Sequence, residues 1–357
     1  MEHRGRGWQL AAADLSCTSC GRRGTLGLPL ISHARIAATL AVGLSEDQQH
    51  LFIPLGGLGS KIYEQIPVPC LLSLTRIGKL IIGPKSSAKV MGIINVSPES
   101  FFKGSVRTGD EQVAAAAKQM ERDGAHMIDI GAMSTAPYLE TMIPVDMEVR
   151  RITSAIKAAK SACDLHISAD TPRAETARAA LAAGADVIND VTGLKYDPMM
   201  ADVIAKSRAR AIICAYSRSE ITGRMLGTAK SLRESRTIAR KAGINADDII
   251  IDPSIGFFRP EGKNFFFSKM TDMPWYVRDM QVISHLSELT ALKKPICISV
   301  SRKSFIGHLL NLQSPEDRMV PSIACELISV LHGASLIRTH NVKETVQALT
   351  MLELLRA

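Results

Sequence analysis

From position 89 onward the chain alternates short apolar runs with longer stretches whose apolar residues recur at helical spacing. The apolar runs fall at 89–94, 126–130, 166–169, 186–188, 210–214, 249–251, 296–300 and 335–338, and each predicts a strand. Helical patterns follow at 111–123, 148–161, 174–183, 230–242, 275–292, 321–332 and 343–355, with a shorter one at 197–206. Three of these helices run into Gly-Ala immediately before a strand, at Gly124-Ala125, Gly184-Ala185 and Gly333-Ala334. Glycine there predicts a left-handed C-terminal cap that turns the chain sharply into the next strand.

Eight strand-helix units within about 270 residues match an α/β fold of the (β/α)8 TIM-barrel type in both count and size. A doubly wound open sheet is the rival, because periodicity does not give strand order; the even count favours the barrel. Residues 1–85 do not follow the repeat. They contain Gly-Gly-Leu-Gly at 56–59 and a β-like stretch at 71–82, and read as a small N-terminal accessory segment beside a barrel at 86–357.

Composition narrows the class. With 46% hydrophobic residues in 357, the chain supports one large domain and an appendage. No apolar run is long enough to span a bilayer, and no secretory leader pattern opens the chain, so a cytoplasmic protein is expected. The net charge of +8 favours acidic ligands, but aromatics are only 4% and no basic block interleaves with them, which argues against nucleic acid. Cys214, Cys297 and Cys325 sit in apolar stretches and read as reduced core residues. Cys17 and Cys20 form a lone CxxC without a second ligand pair, so zinc is not expected.

Barrel enzymes build their sites where the strands end. Here those ends carry Asn95, Asp129, Ser134 and Thr135, Asp170, Asn189 and Asp190, Asp252, then Ser301-Arg302-Lys303-Ser304, and finally Arg338-Thr339-His340-Asn341. A single Asp or Asn after a strand is often only a cap or turn residue, and Asp190 and Asn341 fit that reading best. The set as a whole is chemically coherent. Two carboxylates, an amide and a lysine suit a flat heterocycle with donors and acceptors on its edge. Arg338 and His340, with Asn95 across the mouth, suit a diphosphate and a metal ion.

These motifs resemble the dihydropteroate synthase family of pterin-binding barrels. Met-Gly-Ile-Ile-Asn-Val-Ser-Pro-Glu-Ser-Phe at 91–101 is similar to its first signature and Asp-Ile-Gly-Ala-Met-Ser-Thr-Ala-Pro at 129–137 to its second. Asp170-Thr171, Asn189-Asp190, Asp252-Pro253, Ser301-Arg302-Lys303-Ser304 and Arg338-Thr339-His340 follow in the family's order. The resemblance implies that Asp170, Asn189, Asp252 and Lys303 hold the pterin ring, with Asp170, Asp252, Lys303 and Arg338 as the catalytic set. It implies that Asn95 binds Mg²⁺ with the diphosphate, that Arg338 with His340 grips that anion, that Thr339 is among the substrate-binding residues, and that Thr135 belongs to a mobile second loop. Phe101 and Ser304 then border a pocket for p-aminobenzoate. The implied reaction joins 6-hydroxymethyl-7,8-dihydropterin diphosphate to an arylamine and releases diphosphate; the implied assembly is a homodimer.

The chain departs from the family pattern in the second loop, where the usual Glu-Ser-Thr-Arg-Pro reads Met133-Ser134-Thr135-Ala136-Pro137. Arg107 and Arg150 are the candidate substitutes for the missing arginine. The usual Asp-Pro-Gly reads Asp252-Pro253-Ser254, and the segment at 259–267 is longer and more aromatic than the family's. Two other readings compete. One is a methyl-tetrahydropterin:corrinoid protein methyltransferase, disfavoured by Ser301-Arg302-Lys303-Ser304; the other is a non-catalytic pterin-binding subunit, which leaves Asn95, Arg338 and His340 without a purpose.

Overall fold

The computed structural model describes residues 74–84, 86–98, 102–223 and 225–356, together with the backbone of two short strands, His50–Leu51 and Ile66–Pro67, which pair antiparallel. The chain divides into two compact units, Met1–Val68 and Pro69–Ala357. Cys17, Cys20 and Phe101 lie outside the described residues.

The second unit is a barrel. Numbering barrel strands alone, these are β1 (Lys89–Asn95), β2 (Met127–Gly131), β3 (His166–Asp170), β4 (Val187–Asp190), β5 (Arg210–Cys214), β6 (Ile249–Asp252), β7 (Cys297–Ile298) and β8 (Leu336–Thr339). They pair in parallel in the order β6-β5-β4-β3-β2-β1-β8-β7. A parallel bridge between Ile251 and Ile296, with Ile251 N–H donating to the Pro295 carbonyl at 3.0 Å, joins the two ends and closes the ring. Closure excludes the open doubly wound sheet.

Helices α1 (Asp110–Arg122), α2 (Val145–Ala162), α3 (Ala174–Ala182), α4 (Met200–Ser207), α5 (Met225–Ala242), α6 (Trp275–Ser284), α7 (Ser304–Leu310), α8 (Met319–Leu331) and α9 (Val342–Arg356) fill the connections. The Gly-Ala signals mark Schellman caps. Gly124 N–H donates to Glu121 O and Ala125 N–H to Met120 O, with φ of +90° at Gly124. The same pair of bonds recurs at Gly184-Ala185 and Gly333-Ala334.

The pattern at 275–292 divides into α6 and a 3-10 helix, Leu286–Leu292. Leu286, Leu289 and Leu292 recur every third residue and all are buried, which suits three residues per turn better than 3.6.

Below the barrel, the hairpin Thr75–Ile77 and Leu80–Ile82 closes the N-terminal end of the ring. Ile77 and Ile82 pack with Met91, Met127, Val187, Ile212, Ile250 and Leu336, the inward residues of six strands. The sequence reading placed this stretch in the accessory segment ending near 85. The structure groups it with the barrel, because the strand interiors at that end are apolar and need a cover.

Candidate active site

The opposite, C-terminal end opens into a cleft lined by many of the strand-end residues singled out above. Among them are Asn95, Thr135, Asp170, Asn189, Asp252, Lys303, Ser304, Arg338 and His340. Thr339 is not. It is fully buried on the other face of β8, where its hydroxyl accepts from Asn341 N–H at 3.1 Å and lies 3.2 Å from the Thr345 hydroxyl. Strand alternation sends 338 and 340 inward and 339 outward.

Arg338 is the hub. Its Nε donates to Asp129 Oδ2 at 2.6 Å, its Nη2 to Asp170 Oδ2 at 2.8 Å, and Asn189 Nδ2 donates to the same Asp129 oxygen at 3.1 Å. Asp129 is fully buried, and its Oδ1 has no partner among the described residues. Burial pushes the Asp170 carboxyl up to about 7, against the pull of Arg338 and with a further push from Asp129. The mutual attraction holds Arg338 above its ordinary value despite burial. Asp129 stood among the strand-end residues in the sequence but not among the candidates for the site. Its signal was a carboxylate on the inward-facing phase of β2, shared with Gly131. Gly131 in turn leaves room for Asn95 and Asp170, whose side chains come within 4 Å of where a Cβ would sit.

The loop after β6 supplies the facing wall. Asp252 is buried and caps its own turn, accepting from Ser254 N–H at 2.6 Å. Burial raises its carboxyl, opposed by that bond and by Lys303. Beneath the turn lies fully buried Arg278, which donates to the carbonyls of Pro253 at 2.6 Å and Ser254 at 3.1 Å and stacks 3.7 Å over the Phe258 ring. Neighbouring Asp279 accepts from Gly256 N–H at 3.0 Å. Gly256 has φ of +85°, which calls for glycine, and a Cβ there would also come within a tight 3.2 Å of Lys303 Cδ. Ser254 also lies in the left-handed region, at φ +59°. That explains why glycine suits this position.

Lys303 follows the left-handed Arg302 and caps α7, with its ammonium 4.4 Å from the Phe257 ring centroid. Burial, reinforced by Arg338, lowers it to about 8. His340 is pinned by Ser301, whose Oγ lies 3.1 Å from Nδ1 and accepts from the His340 N–H at 3.2 Å. Burial and the surrounding cations hold the ring neutral, well below its usual value. Asn95 donates to Ser105 Oγ at 2.7 Å, and its Oδ1 accepts no hydrogen bond from the described residues. Asp190 and Asn341 serve structure, as their positions suggested. Asp190 accepts from Thr192 and Leu194 N–H, and Asn341 accepts from Arg302 at 2.5 Å.

Neither proposed substitute for the missing second-loop arginine reaches the cleft. Arg107 donates to the carbonyls of Gly104 and Val106, and Arg150 is exposed on α2, paired with Asp146 at 2.6 Å. Arg259, from the segment after β6, lines the cleft instead. That segment also holds the second loop: Lys263 N–H donates to Pro137 O at 2.7 Å and Asn264 Nδ2 to Ala136 O at 2.7 Å.

The closed barrel and this cleft of alternating carboxylates and cations define an α/β-barrel enzyme built around a flat, polar heterocycle. Residues 91–340 match the family described as pterin binding enzyme. The dihydropteroate synthase of Bacillus subtilis (strain 168) is 34% identical over 271 residues, covering 75% of this chain and 89% of the relative. That of Escherichia coli (strain K12) is 30% identical over 285 residues, covering 75% and 92%. The Xanthomonas albilineans dihydropteroate synthase in complex with 7,8-dihydropteroate superposes with a TM-score of 0.67 at 31% identity, covering 80% of this chain and 99% of that one. The chain belongs to the dihydropteroate synthase family of pterin-binding enzymes.

Proposed function

We infer that this chain condenses 6-hydroxymethyl-7,8-dihydropterin diphosphate with an arylamine, p-aminobenzoate foremost, releasing diphosphate. The observation that carries the reading is the buried constellation of Asp129, Asp170, Asn189, Asp252, Lys303 and Arg338 at one barrel mouth. Solved relatives from Xanthomonas albilineans with 4-aminobenzoic acid and with 7,8-dihydropteroate support both halves of the reaction.

Asp170, Asn189 and Asp252 present acceptors and an amide to the edge of the pterin, and Lys303 donates to a ring heteroatom. The amine nitrogen attacks the methylene carbon; the C–N bond forms as the C–O bond to diphosphate breaks, and one amine proton leaves to solvent. A cation developing at the methylene is conjugated with the pterin, and Asp170 and Asp252 stabilise it electrostatically in a site already arranged for it. No strong base is needed, because a neutral aniline nitrogen is nucleophilic. Arg338 is committed first to Asp129 and Asp170, which shifts its role from gripping the diphosphate towards balancing the ring-binding carboxylates. His340, nearer the rim, is the better diphosphate contact.

Mg²⁺ fits Asn95 on the chemistry of its donors, since Oδ1 is a hard oxygen without another partner. Among the described residues no three His, Cys, Asp or Glu side chains cluster to hold a metal. A Mg²⁺ ion would therefore take one protein oxygen and complete its shell from diphosphate and water. When bound, it would neutralise charge on the departing diphosphate.

The exposed apolar residues Leu309, Leu310, Val320, Ile328 and Leu331 on α7 and α8 support a homodimer. Among the described residues no helix is long and apolar enough to cross a membrane. Free cysteines at 163, 214, 297 and 325 favour a reducing compartment such as the cytoplasm. Two parts remain the proposed organisation, but because the hairpin at 75–82 belongs with the barrel, the boundary moves from 85 to the division between Val68 and Pro69.

Diphosphate release and product mass, measured with the pterin diphosphate, Mg²⁺ and p-aminobenzoate, test the reaction. Dihydropteroate is the expected product. Tight pterin binding without it would point instead to a non-catalytic binding subunit.

A further inference from the structure

Ala136 leaves the second loop without a cation, and the cleft gains one from elsewhere. Arg259 is buried to 9% relative exposure at the cleft wall. Its guanidinium lies 3.6 Å over the face of Trp275, with the Tyr138 ring 5.9 Å away. Its Nε donates to Gly256 O at 3.2 Å and its Nη2 to Ser304 Oγ at 2.7 Å. Three contacts therefore fix both the plane and the direction of the fork. Among the described residues, Nη1 has no hydrogen-bond partner and no carboxylate comes within ion-pair distance. The neighbouring carboxylate, Asp279, is bonded to Arg278 and to Gly256 N–H.

A nearly buried guanidinium with no carboxylate in direct contact, only the field of Asp279 nearby, remains costly, and an anionic ligand would relieve that cost. A planar carboxylate matches the fork, taking Nη1 together with the hydroxyl and Nη2 already joined at Ser304. We propose that Arg259 selects the acceptor, binding an anionic substituent on the arylamine ring, such as the carboxylate of p-aminobenzoate, alongside Ser304. This rests on the condensation inferred above. The proposed pterin residues Asp170, Asn189 and Lys303 line the same cleft, so an acceptor held at Arg259 shares one cavity with the pterin.

The test compares p-aminobenzoate with its neutral isostere p-aminobenzamide, using the full chain saturated with pterin diphosphate and Mg²⁺ for turnover and calorimetry with the pterin alone for binding. Wild type is expected to favour the acid by about 10- to 100-fold, the span of a charge-assisted bond converted to affinity. Arg259→Gln should raise KM for the acid by that factor, with kcat changed by less than about twofold and the preference abolished. Arg259→Lys, which keeps the charge, should recover part of it. Equal affinity of wild type for acid and amide would overturn the proposal without any variant, as would a preference that persists in Arg259→Gln. Arg259-dependent binding of the acid without turnover would support this site while removing the condensation. Normal turnover with an Arg259-independent preference would do the reverse.

Discussion

Arg338 and Asp170 meet at 2.8 Å across the barrel mouth, joining the last strand to the third. The same guanidinium holds Asp129 at 2.6 Å, so one cation serves two carboxylates at the floor of the cleft. Lys303, on the opposite wall, forms no ion pair with a described carboxylate. Asp170 and Lys303 are cleft groups that burial moves towards neutral pH.

If Asp170 and Lys303 hold the pterin ring as proposed, binding calls for Asp170 ionised and Lys303 protonated. Asp170 stands near 7 and Lys303 near 8. Activity should rise as pH passes about 7, when Asp170 loses its proton, and fall above about 8, when Lys303 loses its own. The two groups are coupled through Arg338, so the limbs belong to the pair. A pH profile of kcat/KM checks this, and Asp170→Asn should erase the acidic limb. A flat profile from pH 6 to pH 9 would remove these two groups from the essential set.

Asp129→Asn should destabilise the folded chain by roughly 3–5 kcal/mol, because it breaks a buried ion pair and leaves Arg338 undercompensated. Pterin affinity should fall with it, since Asn189 loses its charged acceptor. Denaturant unfolding and calorimetric pterin binding read the two effects separately. Unchanged stability would mean that Asp170 alone suffices for Arg338.

Ser254→Gly should stabilise the protein by about 0.5–1 kcal/mol. It relieves a left-handed backbone strained by a Cβ and removes a buried hydroxyl that has no partner. The opposing loss of unfolded-state restriction is smaller than these two terms combined. A Tm that falls would show that the hydroxyl has a role in the turn.

Glu326 on α8 is buried to 1% exposure and accepts from Thr345, and burial raises its carboxyl to about 7. A raised folded-state value means that its contribution to stability is complete below about 4.5, and is lost as pH rises through 7. Glu326→Gln has no proton to lose, so its Tm advantage should appear above pH 5 and level off past 7, at on the order of 1–3 kcal/mol. Equal Tm for the two proteins at pH 8 would show that the carboxylate is well solvated.

Much of this was open to reading from residues alone. The eight apolar runs correspond to eight strands because both faces of a parallel barrel strand are covered, which makes the run continuous. The Gly-Ala pairs marked caps because few other residues tolerate that backbone. Helix α7 escaped notice: seven residues, from Ser304 to Leu310, are too few to establish a period. Thr339 was included for its neighbours, though strict alternation along β8 would have excluded it. Arg259 was invisible for a different reason. It lies in an irregular segment where no repeat predicts which way a side chain faces, and its place depends on Trp275 and Ser304, 16 and 45 positions further along.

The bonds from Lys263 and Asn264 to the second loop carry a kinetic consequence. A loop that already has its partners loses its conformational freedom when the chain folds, so less ordering is left for the moment a ligand arrives. An acceptor passing Tyr138 and Arg259, which both line the cleft, should therefore be captured without waiting for that loop to order.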